Sequence, residues 1–148
     1  MKRLAICASV LTLAACGGGK SGLSGTLTKA QYDGKLSHLC LLASDQYREL
    51  HLDNTVAAWK HDAAQITRIE RSFRTKLAAL EPPRAIASDV AAYLRTNDKA
   101  TRDTLAAVAA AKAGDAAKLH AEIKRSNKDS LATWPSAKLI GATGCYIG

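Results

Sequence analysis

Aromatic side chains are few in this 148-residue chain: one Phe, two Trp and four Tyr. Large core anchors are therefore scarce. So are the stacked aromatic positions that recognise single-stranded nucleic acid, and no nucleic-acid partner is expected. Proline occurs three times, with two of the three together at Pro82-Pro83. No alternating apolar run bounded by turn residues is present, so no strand is expected. The apolar run from Leu4 to Ala15 is too short to span a bilayer, which takes about 20 residues.

The recurrent chemical motifs are missing too. The histidines are His38, His51, His61 and His120, and no two have the i, i+4 spacing of a helical zinc site. No C-x-x-C pair and no C-x-x-C-H haem attachment occurs. Glu49, Glu70, Glu81 and Glu122 are not followed three residues later by histidine, which excludes the di-iron bundle motif. No G-x-S-x-G elbow is present. Gly19-Lys20-Ser21 mimics the end of a phosphate-binding loop, but the first glycine that motif needs falls on Ala14. No metal, no cofactor and no enzymatic activity are expected.

Alanine and basic residues are abundant. The formal net charge is +8. A basic domain near a membrane can rest on anionic headgroups or wall polymers, although a charge excess is more ordinarily a solvated surface.

The N-terminus carries the most specific signal. Lys2 and Arg3 precede the apolar run, and Leu13-Ala14-Ala15-Cys16-Gly17 follows it. The order of charged end, apolar middle and small-residue site is that of an export signal. Residues 1–17 resemble a bacterial prolipoprotein signal with its lipobox. The resemblance implies lipidation of Cys16 and removal of residues 1–15, leaving 133 of the 148 residues. Without Lys2 and Arg3 the formal charge falls from +8 to about +6. Each buried acyl CH₂ contributes about 0.8 kcal/mol, so two or three chains anchor in effect permanently. The expected partner is the membrane, through this N-terminal lipid. The expected location is the cell membrane or outer membrane, facing away from the cytoplasm. Gly17 stands where an Asp would suggest retention at the inner membrane.

Residues 16–27 follow as a Gly- and Ser-rich tether, flexible by composition. Cys7 leaves with the signal, so two cysteines remain for the folded part, Cys40 and Cys145. Outside the cytoplasm such a pair most often forms a disulfide, and this pairing is expected here.

Residues 28–148 have the pattern of an all-α domain, an up-down antiparallel four-helix bundle. Thr28-Lys29-Ala30-Gln31 fits a capping box. The first apolar stripe is Tyr32, Leu36, Leu39, Ala43, Tyr47 and Leu50, with Cys40 beside it. The second helix, about Thr55 to Leu80, carries Val56, Trp59, Ala63, Ile66, Phe73, Leu77 and Leu80. Arg68, Arg71, Arg74 and Glu70 are placed on its solvated side, where the arginines offer an alternative as an anionic docking strip. Pro82-Pro83 makes a rigid corner. The third helix ends at Ala113-Gly114-Asp115 and carries Val90, Tyr93, Leu94, Thr101, Leu105 and Val108. The fourth is expected to bury Ala116, Leu119, Ile123, Asn127, Leu131 and Trp134 before Pro135 interrupts it.

Cys40, the Pro82-Pro83 corner, the Ala113-Gly114-Asp115 turn and the end from Leu139 to Cys145 resemble small, Ala-rich helical lipoproteins of actinobacteria. Here Ile140 is inserted before Gly141. The resemblance implies an architecture and carries no catalytic residues. The functional expectation is a lipid-anchored envelope module that contacts an envelope protein or an anionic surface. The alternative is a bundle that binds a small molecule or lipid, with a pocket near Trp59 or Trp134.

Overall fold

The computed structural model describes residues 27–146. The signal at residues 1–15, Cys16 and the tether up to residue 26 lie outside the described residues. Helices dominate the rest: α1 Lys29–Arg48, α2 Val56–Ala78, α3 Ala87–Ala113, α4 Ala116–Leu131 and the short α5 Trp134–Ile140. Two single 3₁₀ turns, Arg84–Ile86 and Thr143–Cys145, precede α3 and follow α5. No strand occurs among the described residues.

Local chemistry sets the ends of the long helices. The Thr28 hydroxyl accepts from the Gln31 amide while Gln31 Oε1 accepts from the Thr28 amide at 2.9 Å, which completes the capping box of α1. Thr55 and Asp115 cap α2 and α4 with their side-chain oxygens. Gly114 ends α3 at φ 77°, and Gly141 ends α5 at φ 96°, a left-handed conformation that side chains with a Cβ resist. Pro135 lies in the first turn of α5, where its missing amide costs no hydrogen bond. Proline therefore starts a helix here, rather than only interrupting α4.

The helices α2, α3 and α4 run antiparallel in succession. Glu70 meets Thr101 and Arg74 meets Asp98, so advancing along α2 means retreating along α3. Thr104 meets Ser126 and Lys99 meets Asp129 in the same reversed order for α3 and α4. Two apolar clusters fill the bundle, one at each end. Tyr32, Leu36, Leu77, Val90, Tyr93 and Ile140 belong to the first. Trp59, Ile66, Ala107, Ala111 and Leu119 belong to the second. Alanine at the α3–α4 seam lets the two backbones come close, which suits a sequence poor in large side chains.

The expected α4 stripe is corrected at both ends, and Ala116, its first member, is exposed. Leu119 is buried as expected, but Glu122 and Ser126 are the next buried positions, and Asn127 is exposed. Leu131 is 55% exposed and Trp134 37% exposed. The cause is polar. Ser126 shares a 2.7 Å hydrogen bond with Thr104 of α3, and Glu122 pairs with Arg125. The hydrogen bond to Thr104 turns the Ser126 side of α4 toward α3, whereas the Glu122–Arg125 pair lies within α4, and the helix ends at Leu131.

The C-terminal tail closes the ring of helices against α1. α1 packs on α2 and on the C-terminal 3₁₀ turn, whereas α4 packs on α3. The Cys40 and Cys145 sulfurs stand at disulfide-bonding distance, with Cα atoms 5.0 Å apart. Lys29 Nζ donates to the Ile140 carbonyl and, at 2.7 Å, to Asp33. The tail thus occupies space that a simple four-helix bundle would give to an α1–α4 seam.

Candidate functional site

Between α1, α2, α3, the α4–α5 corner and the tail lies a cleft of about 230 Å³. Its walls follow from helical periodicity. Cys40, Ser44 and Tyr47 are spaced four and three apart on α1, and Tyr93, Asn97, Ala100, Thr101 and Thr104 form one stripe on α3. Ile69, Glu70 and Phe73 come from α2, and Thr133 and Trp134 from the corner before and at the start of α5. Gly144, Cys145 and Tyr146 come from the tail.

Glu70 is the polar centre. Tyr47 Oη donates to one carboxylate oxygen at 2.6 Å, and Thr101 Oγ1 donates to the other at 2.6 Å. The expectation that Glu70 shares the solvated side of α2 with the arginines is therefore corrected. Arg68, Arg71 and Arg74 are exposed, but Glu70 is half-buried and turned toward α1 and α3. Two neutral hydroxyl donors satisfy it there, which lowers the cost of taking a carboxylate out of water. No Lys, Arg or His lies within ion-pair distance of Glu70 among the described residues.

Burial pushes the Tyr47 phenol far above its usual range, and the neighbouring Glu70 charge and their hydrogen bond push it further. Tyr47 is therefore a protonated donor at any physiological pH. Burial, with a smaller contribution from Tyr32, likewise raises Tyr93. The Tyr93 hydroxyl lies 3.4 Å from Cys40 Sγ, so the bridge forms part of the polar lining. Thr104 and Ser126 satisfy each other behind this layer.

The sequence candidates divide clearly. Cys40 and Cys145 come together in the cleft wall. Cys16 lies outside the described residues. Trp134 lines the cleft, whereas Trp59 is buried in the second core cluster and donates to the Asp53 carbonyl at 3.0 Å. His38, His51 and His61 are exposed, and His120 Nε2 donates to the Asn54 carbonyl at 2.8 Å. Among the described residues no cluster of three or more His, Cys, Asp or Glu is placed to hold a metal. No described helix is long and apolar enough to cross a membrane.

Glu70 is the cleft residue that the sequence stripe left out. Its signal was present: the α2 stripe jumps seven residues from Ile66 to Phe73, and Ile69 and Glu70 fill that gap. No family model matches this chain, and neither a curated protein nor a solved structure is significantly similar to it.

Proposed function

We propose that this protein is a lipid-anchored domain outside the cytoplasm that binds a small molecule in the cleft around Glu70. The observation that supports binding is where the aromatic residues fall. Of one Phe, two Trp and four Tyr, the cleft takes Tyr47, Phe73, Tyr93, Trp134 and Tyr146. A chain so poor in aromatics has placed most of them around one concavity, with a few convergent polar groups. That is the usual composition of a ligand site. Size narrows the ligand. The cleft, at about 230 Å³, lies between a cavity of about 150 Å³ that holds benzene and the range of about 300–1,000 Å³ for drug-sized ligands.

The envelope-contact reading has less behind it. Leu139 is 67% exposed and Leu131 55% exposed, but scattered apolar residues are normal on a protein surface.

Ser44 lines the cleft from α1, so Ser44→Phe adds a ring to the space a ligand would fill. Native mass spectrometry of the protein isolated from its own cells is expected to find one small molecule per chain. The Ser44→Phe form, folded by circular dichroism, is expected to lose it. An unliganded wild-type protein, or equal retention by the variant, rejects the cleft as the site.

Anchoring rests on the lipobox resemblance at Leu13 to Gly17. Metabolic labelling with a fatty-acid probe is expected to mark the wild type and not Cys16→Ser. Undiminished labelling of Cys16→Ser rejects the anchor.

A further inference from the structure

We infer that the ligand of this cleft is a small organic cation, an amine or quaternary ammonium with a short apolar body. The inference rests on the proposed ligand-binding role and assigns its chemical class.

Charge is the first argument. Among the described residues Glu70 is the only charged one that lines the cleft, in a chain of formal net charge +8. Excess basic residues are available throughout the surface, yet none pairs with this carboxylate among the described residues. Elsewhere acidic groups do take such partners, as Asp98 does with Arg74 at 3.2 Å and Asp33 with Lys29 at 2.7 Å. The fold therefore holds a carboxylate in a half-buried aromatic setting and leaves its cation to come from outside. An anionic ligand would meet Glu70 with no basic group among the described lining residues to offset it.

The walls are the second argument. Aromatic faces attract cations through their quadrupole, and several rings around a carboxylate are the usual way to recognise an ammonium group. Tyr47, Phe73 and Trp134 are lining rings that keep exposed surface, Tyr146 shares its ring with Lys138, and Tyr93 is buried. Tyr146 already takes a cation in this structure, since Lys138 Nζ stands 5.5 Å from its ring centroid. Lys138 is not among the lining residues and forms no ion pair with Glu70. The two hydroxyl donors on Glu70 fix the carboxylate while leaving its negative charge in place.

The test is isothermal titration calorimetry of the full chain with choline and with its neutral carbon isostere, in which carbon replaces the quaternary nitrogen. Choline is expected to bind at least about tenfold more tightly than the isostere. Glu70→Gln keeps an acceptor for Tyr47 or Thr101 and removes the charge. It is expected to weaken choline about tenfold or more and to leave the isostere unchanged. The comparison of the two probes on wild-type protein needs no variant, so misfolding of Glu70→Gln cannot mask the result. Equal affinity for the two probes overturns the cation assignment but leaves the ligand-binding role standing. So does a copurified ligand without amine nitrogen. No copurified ligand and no binding of either probe defeats both. Phosphatidylcholine vesicles added as competitor separate the two sources of this chemistry: displacement of choline assigns a lipid headgroup, and unaltered binding assigns a free amine.

Discussion

Replacing Cys40 and Cys145 together by alanine is expected to lower the unfolding free energy by about 4–5 kcal/mol. The melting temperature should fall with it by roughly 15 °C. The two cysteines are 105 residues apart, so the bridge removes a very large loop from the freedom of the unfolded chain. Chain entropy gives about 4.7 kcal/mol for closing about 100 residues. The double substitution leaves no free thiol to confuse the result, and alanine keeps both backbones intact. The comparison is a urea titration of oxidised wild type against the double variant. A loss below about 1 kcal/mol would contradict a loop-closing bridge.

Gly144→Ala is expected to cost about 2–3 kcal/mol by overpacking, the second large effect. A Cβ at this residue would run into the Ser37 carbonyl oxygen of α1 and stand 2.9 Å from Leu41 Cγ. Backbone cannot rotate away as a flexible side chain can, so the tail and α1 must separate. The tail is also held by the adjacent bridge, which opposes that separation. Gly34→Ala, on the same helix with nothing within 4 Å of its added Cβ, is the control. It is expected to be neutral or slightly stabilising through helix propensity. Equal melting temperatures for the two variants would show that Gly144 is not a close-packing position.

Much of the fold was legible because helix signals are local. The capping box at Thr28, the stop at Pro82-Pro83 and the turn at Gly114-Asp115 each depend on a few neighbouring residues, and each falls where the pattern places it. The first three stripes read correctly for the same reason. The fourth did not, because Ser126 counts as polar in a pattern but enters the interior once Thr104 supplies a hydrogen bond. Glu70 follows the same logic. Its charge places it outside by rule, and only the joint presence of Tyr47 and Thr101, from two other helices, brings it in. The cleft itself could not be seen in the sequence, since it exists where the tail displaces an α1–α4 seam. The pairing of Cys40 with Cys145 was legible from their number alone, but their place in the cleft wall was not.

That displaced seam also gives the molecule an order of assembly. α1 meets α2, α2 meets α3 and α3 meets α4, so each of these pairings links segments adjacent along the chain. Such pairings close short loops and form quickly. The docking of the 3₁₀ turn Thr143–Cys145 against α1 is of another kind, since it joins segments about a hundred residues apart. Its entropic cost is small only after the intervening helices have stacked and brought the two ends together. The helical hairpins therefore precede the tail, and the Glu70 cleft acquires its last wall only when the chain has otherwise finished folding.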